Sequence, residues 1–356
     1  MQNQKHILVL LIVTASLASF LGGYLLTQPH NPSSTLQDQR GVLIDRFNGV
    51  DSSSTPTPLP PGLYQASPDT ALSPTTSNAG DAVVYYHPDT GAVSSVDLET
   101  RTATIVSTAS LPKLVRVIWS PDRNRVITVS RGITTQTYAY FDYTTHVHGS
   151  LGTAIKDAVF SPDSRQIAIV RNQGGDSLIQ VANFDGTNPQ TILQTRLDGV
   201  QLAWPSPTRL AFSAADTSSN SRSLYSLSLT GDLTQLIGGV SGLSVRWSPD
   251  GSSLIYSDLN GGPELQFLTL ANNQTQTLGV AAIADNCDWA DNTSVICAVQ
   301  TEGETSVLNI SLTDQSKTVL FSHLIITPQQ AFLSTSNKFF VLISSDQSVW
   351  AVKLSD

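Results

Sequence analysis

Short runs of apolar residues recur along most of the chain, and segments in which apolar and polar residues alternate follow them. The runs include residues 126–129 (VITV), 167–170 (IAIV) and 254–256 (LIY), and residues 225–229 (YSLSL) and 308–312 (LNISL) alternate. Short continuous runs are typical of buried strands, and strict alternation is typical of half-buried strands. No segment from residue 62 onward has a helical period, so the pattern predicts an all-β fold.

An aromatic residue and a Ser-Pro-Asp sequence precede three of the runs, at Trp119, Phe160 and Trp247. Four degenerate copies complete a series at positions 76, 119, 160, 204, 247, 289 and 332, which are 41 to 44 residues apart. A period in the low forties with short strands is typical of propeller blades. We therefore predict a seven-bladed β-propeller of four-stranded blades, with repeats starting near residues 67, 110, 151, 197, 239, 280 and 323.

Each repeat predicts four strands, a to d, with the aromatic residue at the end of strand a. In the Ser-Pro-Asp-Gly turn that follows, proline fixes φ, aspartate caps the turn and glycine accepts a positive φ. The aligned tryptophans are expected to pack between blades rather than to stack on a sugar. Because the last repeat stops after strand c, we predict that residues 62–66 supply its outer strand and close the ring.

The N-terminal part of the chain has a different pattern. Residues 7–27 are almost wholly apolar and, as a helix, would be about 30 Å long, the thickness of a bilayer core. We predict a transmembrane anchor over residues 1–27, with Lys5 on the inner side and the propeller on the extracytoplasmic side, in a periplasm or at a cell surface. A cleaved signal peptide with Ser16 and Ala18 at its cleavage site is the alternative.

Residues 28–61 are rich in Pro, Ser and Thr. Such a segment buries too little apolar surface to fold, so we predict a disordered linker between the anchor and a propeller of residues 62–356.

The composition excludes some functions. The net charge is −9, and the chain has no run of Lys or Arg, so we expect no binding to nucleic acid. No G-x-S-x-G, H-E-x-x-H, P-loop or C-x-x-C motif is present. His146 and His148 are expected on one strand face, where two imidazoles could hold a metal ion, but the sequence shows no third ligand. We assign no catalytic residue, metal or cofactor.

The W-S-P-D-G turn followed by an I-x-Y/F strand resembles the TolB-type, WD40-like (PD40) propeller repeat over residues 62–356. The resemblance implies the fold, and it implies no particular activity because propellers serve many functions. With an apolar segment and a linker ahead of the propeller, the layout is similar to that of a membrane-anchored bacterial surface protein.

Cys287 and Cys297 are the two cysteines of the chain. They fall on strands a and b of one repeat, and the a–b hairpin would bring them close together. In an oxidising compartment they can form a cross-strand disulfide. The alternative is a pair of buried free thiols that act as small apolar side chains.

Polar residues stand three positions before each aligned position, where the innermost strands would line the mouth of the central channel. The seven ring residues are Ser73, Arg116, Asp157, Gln201, Ser244, Asn286 and Gln329. One hypothesis is that they bind a small polar ligand or a peptide terminus, with Arg116 and Asp157 as the charged contacts. The interpretation we favour is that they are polar because the channel holds water.

The function expected from these features is a non-catalytic binding scaffold, monomeric, that presents its b–c and d–a loops to a protein or a cell-envelope partner. The alternative is a hydrolase or lyase that acts on an extracellular polymer at the mouth of the channel. An enzyme should place carboxylates or a histidine with a shifted pKa in one deep pocket. A scaffold should have a broad, shallow face with exposed apolar residues.

Overall fold

The computed structural model describes residues 62–354, apart from residues 68, 79, 109–110, 112, 134 and 217–218. These residues form 28 strands and one short 3₁₀ turn, Ala284–Asn286. Within them, no helix is long and apolar enough to cross a membrane. The predicted anchor and linker lie outside the described residues.

The strands form seven four-stranded antiparallel sheets, which are the blades. Blade 1 contains β2 (Leu72–Thr76), β3 (Ala82–Tyr86), β4 (Val93–Asp97) and β5 (Ala103–Ser107). Blade 2 contains β6 (Leu114–Trp119), β7 (Arg125–Arg131), β8 (Gln136–Asp142) and β9 (His148–Ser150). Blade 3 contains β10 (Ile155–Phe160), β11 (Gln166–Gln173), β12 (Asp176–Asn183) and β13 (Gln190–Thr195).

Blades 4 to 6 continue the same order along the chain. Blade 4 contains β14 (Asp198–Ser206), β15 (Arg209–Ala215), β16 (Ser221–Ser228) and β17 (Leu233–Ser241). Blade 5 contains β18 (Ser244–Trp247), β19 (Ser253–Asp258), β20 (Glu264–Thr269) and β21 (Gln274–Thr277). Blade 6 contains β22 (Cys287–Asp291), β23 (Ser294–Thr301), β24 (Glu304–Ser311) and β25 (Lys317–Leu324).

Blade 7 is assembled from both ends of the propeller. It contains β26 (Pro328–Leu333), β27 (Phe339–Ser344), β28 (Val349–Lys353) and, as its outer strand, β1 (Leu63–Ser67). Leu63 pairs with Val352 and Ser67 with Val349. The predicted closure of the ring by the segment ahead of the first repeat is therefore confirmed, as are the all-β class and the seven four-stranded blades.

The Ser-Pro-Asp turns join strands a and b through a repeated hydrogen-bond network. In blade 5, the Ser248 hydroxyl donates to Asp250 (2.7 Å), the backbone N–H of Ser252 donates to the same carboxylate (3.0 Å), and the N–H of Ser253 donates to the Ser248 hydroxyl (3.0 Å). Blades 2 and 3 repeat the Ser–Asp contact at 2.6 Å. These bonds lower the pKa of Asp250, so that its carboxylate stays charged as the acceptor.

The core lies between adjacent blades, where the aligned aromatic residues pack. Trp204 of blade 4 is buried among Ala168, Val170 and Ile179 of blade 3. The indole of Trp119 donates to the carbonyl of Ser73 in the preceding blade (2.8 Å). The sequence-based prediction that these residues pack between blades is confirmed.

The loops lie on two faces because the strands of each blade alternate in direction. We call the face with the b–c and d–a loops the upper face, and the face with the a–b and c–d loops the lower face. The first strands of neighbouring blades contact one another between blades 1 and 2, 2 and 3, 3 and 4, and 6 and 7, so the first strands surround the channel. Since Leu63 lies opposite Val352 near the lower end of β28, the chain enters the propeller on the lower face.

Candidate functional site

The seven ring residues lie near the upper ends of the first strands. Six of them fall within those strands, as predicted. Asn286 does not, because residues 284–286 form the 3₁₀ turn that precedes β22. Arg116 and Asp157, on neighbouring blades, form an ion pair at 2.5 Å, in which the Asp157 side chain is 8% exposed.

Two ring residues bind the backbone of the next blade. The Ser73 hydroxyl accepts the N–H of Val117 (2.9 Å), and the Asp157 carboxylate accepts the N–H of Leu202 (2.7 Å). The inner edge of each blade carries backbone donors that no further strand can satisfy, and leaving them unpaired is unfavourable. Some of the polar ring residues therefore hold adjacent blades together, a role that the sequence alone did not indicate.

Two charged residues deeper in the channel were missed. Asp288 of blade 6 accepts the N–H of Leu333 in blade 7 (2.8 Å), and burial raises the pKa of its carboxyl group against the opposing effect of Arg246. Asp288 is partly exposed. A signal was present in the sequence: Arg246 and Asp288 each directly precede an aligned tryptophan.

Arg246 of blade 5 reaches past blade 6. Its guanidinium lies 3.3 Å from the carbonyl of Asp285 and 3.5 Å from that of Ala331 in blade 7. The side chain therefore links blade 5 to blade 7 across the inner edge of blade 6.

The remaining ring residues do not converge on one pocket. Gln201 and Ser244 line a cavity of about 230 Å³ between blades 4 and 5. The Asn286 amide donates to the carbonyl of Pro328 (3.4 Å). Gln329 is exposed on β26. Ligand binding by the ring stays a prediction.

A larger depression of about 610 Å³ opens on the upper face between blades 4 and 5. The polar residues of its wall include Asp216, Ser221, Ser241 and Asn260. Asp216 accepts hydrogen bonds from the hydroxyls of Ser221 and Ser223. Such a wall offers hydrogen bonds to a partner, and its carboxylate is already engaged.

The histidine pair does not lie as predicted. His146 is in the turn between β8 and β9 with a φ of 59°, and His148 begins β9, so the two do not share a strand face. The turn places His146 outside the strand because the N–H of His146 donates to the carbonyl of Asp142 (2.8 Å). Among the described residues, no group of three or more His, Cys, Asp or Glu side chains could hold a metal ion.

Exposed large apolar side chains are concentrated on the upper face. The structure exposes ten of them in its described part, and five lie in the b–c or d–a loops: Leu111, Ile133, Leu259, Ile283 and Ile325. Ile325 is 69% exposed and Ile133 is fully exposed. Of the other five, four are on outer strands and one is in a lower-face loop, so apolar exposure is highest on the upper face.

Cys287 and Cys297 lie directly opposite each other on β22 and β23, with 4.0 Å between their Cα atoms. Their sulfur atoms are joined in a disulfide, which is buried between blades 5 and 6. No functional group surrounds it, so its role is structural.

Reduction of this disulfide is expected to lower the free energy of unfolding by about 2–3 kcal/mol, since it closes a short loop in the unfolded chain. Urea unfolding with and without reductant measures the loss, and a Cys287→Ala/Cys297→Ala variant should not respond to reductant. Two thiols that react in the denatured, unreduced protein would show that the cysteines are free.

Comparison with known proteins adds information on the fold. No family model matches the chain, and no curated protein matches it. Among solved structures, an oligogalacturonate lyase in complex with manganese is similar with a TM-score of 0.60 at 13% identity, over 83% of this chain and 93% of that one. The hydrazine synthase of Kuenenia stuttgartiensis has a TM-score of 0.57 at 13% identity, over 80% and 95%. TolB from Acinetobacter baumannii has a TM-score of 0.48 at 13% identity, over 66% and 62%.

At these identities the likeness concerns the fold alone. The topology and the repeats define the chain as a seven-bladed β-propeller of four-stranded blades. A shared fold does not imply a shared activity, so the fold does not choose between catalysis and binding.

Proposed function

We propose that the chain is a non-catalytic binding scaffold on the extracytoplasmic side of a membrane, anchored through residues 7–27. Its upper face binds a protein or a component of the cell envelope. The observation that carries this proposal is that half of the large apolar side chains exposed in the described part of the chain lie in the upper-face loops, because apolar residues gathered on one face are typical of interaction surfaces.

A further feature supports this face. The polar depression beside Asn260 supplies hydrogen-bonding groups next to the apolar ones, a combination typical of protein interfaces.

The alternative is a hydrolase or lyase acting on an extracellular polymer at the channel mouth. It needs an acid or base that is free to exchange protons with a substrate. Asp157 is engaged by Arg116 and a backbone N–H, and Asp288 by two backbone N–H groups. These contacts favour a structural role for both carboxylates, and hence the scaffold.

Substitution of upper-face apolar residues is expected to abolish capture of a partner by the propeller. The test compares an Ile133→Ser/Ile283→Ser/Ile325→Ser variant with a control that changes Ile105, Val147 and Val319, which are exposed elsewhere. All six side chains are exposed, so both variants should keep their stability within about 0.5 kcal/mol. Immobilised propeller is incubated with a surface extract, and the captured proteins and glycans are identified.

Loss of capture in the control but not in the upper-face variant would contradict the proposal. A folded Arg116→Ala/Asp157→Ala variant that alone loses capture would place the site at the channel mouth and favour the enzyme or small-ligand alternative.

A further inference from the structure

The charged residues of the upper face are separated by sign into two halves. The basic half comprises the upper ends of blades 2–4, with seven cationic side chains: Lys113, Arg116, Arg131, Lys156, Arg171, Arg196 and Arg222. The carboxylates there are Asp157, Asp176, Asp198 and Asp216, and the first two are paired with Arg116 and Arg196. Cations therefore outnumber carboxylates on this half.

The acidic half comprises the upper ends of blades 5–7 and 1. It carries eight carboxylates: Asp69, Asp89, Asp258, Glu264, Asp285, Glu302, Glu304 and Asp346. Within the described residues, its one Lys or Arg is Arg246, whose guanidinium lies against the carbonyls of Asp285 and Ala331. The other cations of these blades (Arg101, Lys317, Lys338 and Lys353) lie toward the lower face.

Many of these charges are available to a partner. Lys113, Arg131 and Lys156 are exposed and form no ion pair with any residue that the structure describes, and the same holds for Glu264 and Glu302. Opposite charges on two surfaces speed association and fix their relative orientation. A partner of this face must therefore carry an acidic and a basic region side by side.

A second copy of the chain meets that requirement. When two upper faces are related by a two-fold axis that lies along the boundary between the halves, each basic half meets the partner's acidic half. An axis perpendicular to that boundary would place like charges together, so the charges select one arrangement. Exposed apolar residues lie on both halves, Leu111 and Ile133 on the basic one and Leu259, Ile283 and Ile325 on the acidic one, so the contact buries both sets.

We propose that the upper face binds a second copy of this chain, basic half against acidic half, in a symmetric dimer. This inference rests on the proposed function, because it names the occupant of the same face. The dimer differs from the monomer expected from the sequence. In the sequence, the charged residues of each half are spread over more than a hundred positions. The separation of basic from acidic residues is visible only in the closed ring.

The test uses the full-length chain in detergent micelles, with the dimer dissociation constant measured by sedimentation equilibrium. A base-reversed variant changes three cations to glutamate: Lys113, Arg131 and Lys156. An acid-reversed variant changes four carboxylates to lysine: Asp69, Asp89, Glu264 and Glu302. Each of the two variants is expected to have a dimer dissociation constant at least about tenfold higher than that of the unaltered chain, because like charges then face each other.

An equimolar mixture of the two variants is expected to form a heterodimer, because one face is then acidic on both halves and the other basic on both. Misfolded variants would not recover in this way. A control variant changes three exposed lower-face cations to glutamate (Arg165, Lys317 and Lys338) and should dimerise like the unaltered chain.

Three results would overturn the inference. They are an unaltered chain that is monomeric at every concentration, dimers that persist in both reversed variants, and a mixture of folded variants that does not associate. If the chain is monomeric but its upper-face apolar residues still capture another partner, the proposed function stands and this inference alone fails.

Discussion

Replacing Tyr64 by alanine is expected to lower the free energy of unfolding by about 3–5 kcal/mol, the usual effect of removing a buried aromatic side chain. Tyr64 lies on β1 and is 7% exposed. Its hydroxyl donates to the carbonyl of Leu98 in blade 1, and the Arg101 guanidinium lies 4.2 Å from the centre of its ring. One side chain thus joins the outer strand of blade 7 to blade 1 and helps to close the ring.

The hydroxyl contributes a separable part of this effect. Burial raises the pKa of Tyr64 to about 12, so the group is a neutral hydrogen-bond donor at physiological pH. A Tyr64→Phe variant keeps the ring and should lose only about 1–2 kcal/mol, the cost of an unpaired acceptor and a lost hydrogen bond.

Gln65 provides the matched control. It is the next residue of β1, is exposed, and pairs with Trp350. Gln65→Ala should change the free energy of unfolding by less than about 0.5 kcal/mol. Urea unfolding of the three variants tests the closure, and equal losses for Tyr64→Ala and Gln65→Ala would show that β1 does not stabilise the ring.

The fold was predictable because three blades repeat the same turn chemistry and the other four keep its spacing. The Ser-Pro-Asp turn is held by a hydrogen bond between its own side chains, and the aromatic residue at the end of strand a contacts the preceding blade. Both features therefore leave a recurring pattern in the sequence. The closure of the ring by β1 was predictable because the last repeat has only three strands, and a seventh blade without an outer strand leaves an open edge.

The candidate site was predictable only in outline. The channel-mouth positions could be found from the repeat, but the side chain that each one contacts depends on the neighbouring blade, as with Asp157 and Leu202. Arg246 and Asp288 were missed because their position is apolar in most repeats (Ile118, Val159 and Ala203, for example). The charge separation on the upper face arises from residues that only the closed ring brings together.

Gly251→Ala is expected to lower the free energy of unfolding by about 3 kcal/mol or more. Gly251 is the last residue of the Ser-Pro-Asp-Gly turn of blade 5 and has a φ of 67°. A left-handed conformation costs a residue with a Cβ about 1–2 kcal/mol. The new Cβ would also lie 2.4 Å from the carbonyl oxygen of Pro205 in blade 4, and forced contacts of this kind add about 1–3 kcal/mol.

Other blades show why this contact matters. The equivalent residues Arg123, Ser164 and Asn337 also have positive φ, and each hydrogen-bonds the preceding blade with its side chain. At Gly251 the preceding backbone is too close for a side chain, so the blades meet directly.

Gly80 separates the two contributions. It occupies the same turn position in blade 1 with a φ of 70°, and a Cβ there would meet no atom within 4 Å. Gly80→Ala should therefore cost only the backbone contribution of about 1–2 kcal/mol. Urea unfolding of the two variants gives the difference directly. A loss for Gly251→Ala no larger than that for Gly80→Ala would show that the Pro205 carbonyl moves aside, and that blades 4 and 5 are less tightly packed at the lower face than the contact implies.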